Sequence, residues 1–173
     1  MATGRSTKLT GAVGEFLVAA ELCRLNLLAT PFAGNVPHYD IIATGQFGGH
    51  VAVQVKAING GTWQFDIRKF VEIKLEPDGQ QIIGNRSREP FPDLIYVLVV
   101  LQDQGQDRFF VIEWKILQDI LVRRYRAMLS KYGGIRPKAP GSFHSAIGIK
   151  DLESFENLWS KILDRVPKLD LTD

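Results

Sequence analysis

The chain has 173 residues, 45% of them apolar and 23% charged, with a formal net charge of +2. That balance excludes a disordered chain, and the longest wholly apolar run, 94–101, is too short to cross a bilayer. One cysteine, Cys23, excludes an intrachain disulfide and multi-cysteine zinc sites. The expectation is a cytoplasmic protein without membrane association, since "MATGRSTKLTG" lacks the apolar core of a signal peptide. The length suits one domain over 1–173, with a core over about 10–125 and a C-terminal loop and helix over about 133–166.

In chain order, "LTGAVGEFLVAAELCRLNL" reads as the first helix, with Thr10 as its cap. Val13, Phe16, Leu17, Ala20, Cys23 and Leu27 fall at helical spacing, Cys23 reads as a buried small residue, and Gly11 and Gly14 predict close packing against the backbone. Extended pieces follow: "LLATPFA", "HYDIIAT" and "HVAVQVKAI", the last two joined by a "GQFGG" hairpin loop. "WQFDI" and "FVEIKLE" read as strands, "EPDGQQ" as a turn, "QIIG" as a short strand and "GNRSREPFP" as a loop. The segment 60–85 suits a recognition hairpin, a sheet extension or a dimer surface equally well.

"DLIYVLVVL" is the most apolar strand, and "DRFFVIEW" pairs with it. "KILQDILVRRYRAML" is a helix ending at "YGG", "GIRPKAPGSF" a loop and "SAIGI" an edge strand. "DLESFENLWSKILDRV" reads as a final amphipathic helix capped by Asp151. This order predicts an α/β (α+β) fold: a mixed sheet with helices on both faces.

Charge is unevenly spread. No acidic residue lies between Asp119 and Asp151, a stretch holding Arg123, Arg124, Arg126, Lys131, Arg136, Lys138 and Lys150 with Tyr125 and Tyr132 interleaved. The N-terminal arm adds Arg5 and Lys8. Such clusters suit a phosphate backbone, and equally a solvated helix face and loop.

The chemistry concentrates in "HVAVQVKA". Val51, Val53 and Val55 share one face of this strand, and Gln54 and Lys56 share the other. If the hairpin turns about Phe47, Asp40 faces Gln54 across the ladder, and Asp40, Gln54 and Lys56 converge. An Asp40 carboxylate, a Gln54 amide oxygen and the Val55 carbonyl suit a hard cation such as Mg²⁺, with Glu15 a further acid and Lys56 serving an attacking water. A metal-free alternative is a plain Lys56–Asp40 ion pair on an exposed sheet face. His38, two residues before Asp40, is a further candidate for the same patch, Asp66 is a further acid that nothing in the sequence places there, and Arg68, Lys69, Arg86 and Arg88 are loop bases of either role.

The pieces "GAVGEFLVAAEL", "VPHYDIIAT" and "VAVQVKA", followed by "PDLIYVLVVL" and "RFFVIEWKILQDIL", resemble the PD-(D/E)XK nuclease superfamily over roughly residues 10–125. The likeness is greatest to the branch holding archaeal Holliday-junction resolvases, methyl-directed restriction endonucleases and a homing endonuclease of bacterial group I introns. It implies a restriction-endonuclease-like core that binds Mg²⁺, or Mn²⁺ in its place, and hydrolyses DNA phosphodiesters. Asp40, Gln54, Val55 and Glu15 would be the ligands and Lys56 the catalytic lysine. Arg5, Lys8, Arg123, Arg124, Arg126, Lys131, Arg136 and Lys138 would contact DNA, in a homodimer or higher symmetric oligomer. Two departures stand out. Gln54 occupies a usually acidic position, as in restriction and homing relatives, which removes one anionic ligand. Asp40 follows Tyr39, with Pro37 three residues before it. A nuclease-fold module that binds DNA with a weakened metal site is therefore the alternative to a Mg²⁺-dependent endonuclease.

Overall fold

A computed structural model describes residues 4–32, 37–45 and 48–166 of the chain. The run of β-branched residues in "HVAVQVKAI" forms the strand His50–Ile58 (β3) at the middle of a five-stranded sheet. Before it come the helix Gly4–Arg24 (α1) and the strands Leu28–Pro31 (β1) and Ile41–Thr44 (β2). After it come Trp63–Asp66 (β4), a 3-10 turn Ile67–Lys69, and the strands Val71–Leu75 (β5) and Gln81–Arg86 (β6). Ile95–Val100 (β7), Arg108–Glu113 (β8), the helix Trp114–Lys131 (α2), His144–Ile147 (β9) and a short helix Ser160–Leu163 (α3) complete the chain.

The main sheet runs β1-β2-β3-β7-β8. β3 and β7 are parallel and the other neighbours antiparallel, so the sheet is mixed. β4 pairs with β9, and β5 with β6, in two small separate sheets. Every residue of β7 is buried, as its unbroken apolar sequence requires of a strand covered on both faces. One face packs Ala52, Leu98, Phe110 and Ile112 under α2 and the aromatic side chains of β4 and the 3-10 turn. The other packs Val53, Val55, Val97 and Val111 under α1 and α3. This is the mixed α/β architecture expected, a central mixed sheet flanked by helices, consistent with a restriction-endonuclease-like core.

Three local expectations need correction. α1 begins at Gly4, so Thr10 lies inside the helix and not at its cap; its hydroxyl accepts from the Asn59 side chain at 3.1 Å. The helix also turns a different face inward. Val18, Ala19 and Leu22 are buried, whereas Val13 and Phe16 are exposed, Phe16 by 68%, and Cys23 is exposed too. α1 carries apolar residues on two faces, and the face chosen contains Gly14, whose lack of a side chain lets the helix approach β3 closely. A Cβ at Gly14 would stand 2.5 Å from the Ala57 Cβ, whereas one at Gly11 would meet nothing within 4 Å.

The final helix is also absent as one element. The segment forms 3-10 turns at Ile149–Asp151 and Glu153–Phe155 before α3. Glu156 bridges Phe110 on β8 and holds Arg108 through two bonds of 2.7 Å, and Asn157 takes a left-handed conformation (φ 52°). This bridge covers part of the β8 edge of the sheet, and it breaks the helical path. Asp151 still caps, accepting from the Gly148 N–H at 2.8 Å, but the turn it serves is the first 3-10 turn.

The two helix glycines provide a matched test. Gly11→Ala should raise the melting temperature, since alanine favours a helix interior over glycine by about 1 kcal/mol. Gly14→Ala should lower it despite that gain, because Ala57 must be displaced. Equal stabilisation of both variants would contradict the close α1–β3 contact.

Candidate functional site

The site grows from the β2–β3 ladder. Ile41 faces Val53, so position 40 stands opposite position 54, the register expected for a turn about residue 47, which itself lies outside the described residues. Asp40 is fixed by its backbone on both sides. Its N–H donates to the Val53 carbonyl at 2.9 Å, and its carbonyl accepts from the Phe32 N–H at 2.9 Å. Its carboxylate reaches over the ladder, where Oδ2 accepts the Val55 N–H at 2.7 Å and the Gln54 Nε2.

Gln54 and Lys56 project to the same face, as the alternation requires. The Lys56 carbonyl accepts the Trp63 indole N–H at 2.9 Å, and its ammonium sits 5.2 Å from the centre of the Phe65 ring. Glu15 arrives from α1, one residue past the glycine that holds the helix against β3. Glu15, Asp40, Gln54, Val55 and Lys56 thus line one pocket of about 330 Å³. Phe65, Asp66, Lys69 and Tyr96 complete its wall.

Glu15, Asp40 and Lys56 are each held away from their ordinary titration values. Burial raises the Asp40 carboxyl, against the Val55 N–H and Lys56, which favour the ionised form. Burial and then the Asp40 charge raise Glu15. Burial and then the nearby Lys69 charge lower the Lys56 ammonium, opposed by Asp40. Tyr96 is pushed up to about 12 by burial and by Asp40, so its hydroxyl stays protonated at neutral pH. Asp66 behaves differently. The Arg68 guanidinium binds its carboxylate at 2.6 and 3.0 Å and holds its pKa down, so its charge is already matched.

The oxygen donors of the pocket are therefore the Asp40 and Glu15 carboxylates, the Val55 carbonyl and the Gln54 carboxamide. The carboxamide directs its nitrogen at Asp40, and exchanging its O and N positions would turn the oxygen there instead. Among the described residues, no group of three or more His, Cys, Asp or Glu side chains stands together in a metal-holding arrangement. His38, in a left-handed turn (φ 80°), is not among the described residues lining the pocket.

Among the described residues, none of the basic side chains expected at DNA lines this pocket. Lys8 is exposed on α1, and the Arg5 side chain lies outside the described residues. Arg123 and Arg126 are exposed on α2, while Arg124 pairs with Asp151 at 2.5 Å. Lys131 lies 5.5 Å from the Tyr132 ring centre, Arg136 donates to the His144 carbonyl, and Lys138 is exposed in a loop. Tyr96, on the wall, has no role in the sequence reading, and Lys69 stands there only as a loop base of either role. Tyr96 is paired with Gln54 in the parallel β3–β7 ladder, a register that no local pattern in "DLIYVLVVL" reveals.

No protein-family model matches this chain, and no curated protein matches it. Among solved structures, a bacterial homing endonuclease, I-Ssp6803I, is similar with a TM-score of 0.43 and 19% identity, over 66% of this chain and 73% of that one. The likeness is weak and is one of fold.

The raised Asp40 pKa has a consequence for stability. The folded state holds the Asp40 proton to a higher pH than the unfolded chain does. The linked stabilisation is present below the ordinary value of 3.8 and lost as pH rises through the raised folded value. Asp40→Asn, measured in EDTA, should therefore melt at a higher temperature than wild type at pH 7, and the difference should shrink by pH 3.5. A variant less stable than wild type at pH 7 would contradict the strained carboxylate.

Proposed function

We propose that this chain is a nuclease-fold DNA-binding module whose phosphodiester-cleaving site is weakened by Gln54. The observation that supports this reading is the meeting of Glu15, Asp40, Gln54 and Lys56 in one pocket. Two carboxylates with raised pKa values and a lysine with a lowered one suit a site made for a phosphate and a divalent cation. The weakening follows from the donor set, in which a neutral carboxamide stands where a third anion would strengthen cation binding.

The chain's residues have distinct parts in this reading. Asp40, Glu15 and the Val55 carbonyl would hold Mg²⁺, or Mn²⁺ in its place, with Gln54 adding its amide oxygen after rotation. Such a cation, when bound, supplies charge to stabilise the phosphorane-like transition state and acidifies a water. Lys56, partly desolvated against Phe65, orients a water and balances charge on the phosphate. The exposed Arg123 and Arg126, with Lys8, Lys131 and Lys138, would follow the DNA backbone.

A second reading, a fully competent Mg²⁺-dependent endonuclease, is favoured by the shifted Lys56, a feature useful for catalysis and not required for binding. Cutting both strands would then call for two sites and so for a symmetric homodimer.

Metal separates the two readings. Labelled duplex, supercoiled plasmid and a four-way junction would be offered to the protein in EDTA, Mg²⁺ or Mn²⁺. The weakened module should bind in EDTA with a steep salt dependence and cut slowly, at raised cation concentration only. Gln54→Glu should lower the Mg²⁺ concentration needed for cutting, and Lys56→Ala should abolish cutting while leaving DNA bound. Brisk cutting at low Mg²⁺ by the wild type would favour the second reading. Failure to retain DNA in any condition would reject both.

A further inference from the structure

The candidate pocket has an acceptor side and a donor side, and the donor side holds more than the reading above uses. Tyr96 lines the pocket and is only 8% exposed. Its ring is fixed among Phe65 and Phe70, with centroids at 6.2 and 6.4 Å. Its register opposite Gln54 turns it to the same face as Gln54 and Lys56. Yet its hydroxyl has no hydrogen-bond partner among the described residues. Asp40, whose charge acts on it, already spends Oδ2 on the Val55 N–H and Gln54. The ring is buried while the hydroxyl is not among the sealed polar atoms, so a donor without a protein partner at the wall of a polar pocket is suited to a ligand atom.

Lys69 is the second unused donor. It ends the 3-10 turn that begins after Asp66, and its charge acts on Lys56 across the pocket. Among the described residues it has no carboxylate partner, whereas its neighbour Arg68 is bound to Asp66. Two ammonium groups facing one small pocket repel each other until an anion lies between them.

We propose that Lys69 and the Tyr96 hydroxyl form a phosphate-oxygen site on the donor side of the pocket, taking the non-bridging oxygens of a phosphodiester. This inference rests on the DNA reading above for the source of the phosphodiester. The ligand has two such oxygens and a single negative charge, which Lys69 offsets from one side while Tyr96 donates a neutral hydrogen bond from β7. The acceptor side, with Asp40 and Glu15, would repel the same oxygens, so the phosphate has one orientation. Tyr96 and Lys69 are positioning groups for the phosphate, and the acceptor side keeps its separate role.

The two donors leave different signatures, which makes the site testable without catalysis. Binding of a labelled duplex to the full chain would be followed by fluorescence anisotropy in EDTA over a salt series. It would be measured for wild type, Lys69→Ala, Lys69→Arg and Tyr96→Phe. Lys69→Ala should reduce the slope of log K against log salt by about 0.9, the release of one counterion, and Lys69→Arg should restore it. Tyr96→Phe should weaken binding roughly ten-fold with the slope unchanged, because it removes a neutral donor to a charged acceptor. Unchanged melting temperatures serve as the folding control, Lys69 being exposed and phenylalanine keeping the Tyr96 ring.

Inorganic phosphate provides the second arm, followed through the backbone amide signals of residues 54–56, 65–70 and 96. Shifts in the wild type that vanish in both variants are expected. Wild-type DNA binding with slope and affinity unchanged in both variants would overturn the site and leave the DNA reading standing. Phosphate shifts without DNA binding would keep the site and reject the DNA reading. Neither response would overturn both.

Discussion

The hydrogen bond from the Val55 N–H to the Asp40 carboxylate, 2.7 Å long, is the constraint on which the site depends. It requires the β2–β3 register that sets Asp40 opposite Gln54, and the register is guarded by the apolar face. A slip of one residue would turn Val53 and Val55 into the pocket and Gln54 and Lys56 into the core under α1. The two other contributions reach the pocket through the same strand. The parallel β3–β7 pairing brings Tyr96 beside Gln54, and the close contact of Gly14 with Ala57 brings Glu15 alongside Val55. Three independent contacts to one strand thus converge on one pocket.

The pocket works against the stability of the protein that holds it. Burial disfavours the charged forms of Asp40, Glu15 and Lys56 together; the Val55 N–H and Lys56 oppose this at Asp40, whereas Asp40 adds to it at Glu15, and Lys69 adds to it at Lys56 against Asp40. The fold tolerates the strain because β3 is clamped between two apolar clusters, one under α1 and one under α2, with the Trp63 indole pinning the Lys56 carbonyl. A divalent cation on the carboxylate side and a phosphate on the lysine side would each relieve part of the same strain. On the proposed reading, that coupling would favour the liganded protein over the empty one.

The parts of this arrangement that were legible in the sequence are those with a short repeat. Alternation in "HVAVQVKA" separates the valine face from Gln54 and Lys56, and the hairpin loop places Asp40 by counting. The strands and α2 follow the same logic. What failed were the helices whose apolar residues do not choose one face. α1 is apolar on two sides, and only the size of Gly14, met by Ala57 in space, decides which is buried. The final segment has a helical pattern, yet Glu156 and Asn157 are taken by the β8 edge and a left-handed turn. Tyr96 was illegible for a related reason, since it enters the pocket through the long-range pairing of β7 on β3, and Lys69 was legible as a loop base but not as part of this pocket, which it reaches from the turn after β4.

The central claim, that Asp40 and Glu15 form the cation-binding side of a pocket on β3, is tested most directly by paramagnetic broadening with Mn²⁺. Backbone amide signals of the intact protein would be recorded during a titration with substoichiometric Mn²⁺. The account predicts broadening that begins at residues 14–16, 40 and 54–56, extends to 96, and is lost in Asp40→Asn. Broadening centred on surface acids such as Asp103 and Asp107, or unchanged in Asp40→Asn, would contradict it.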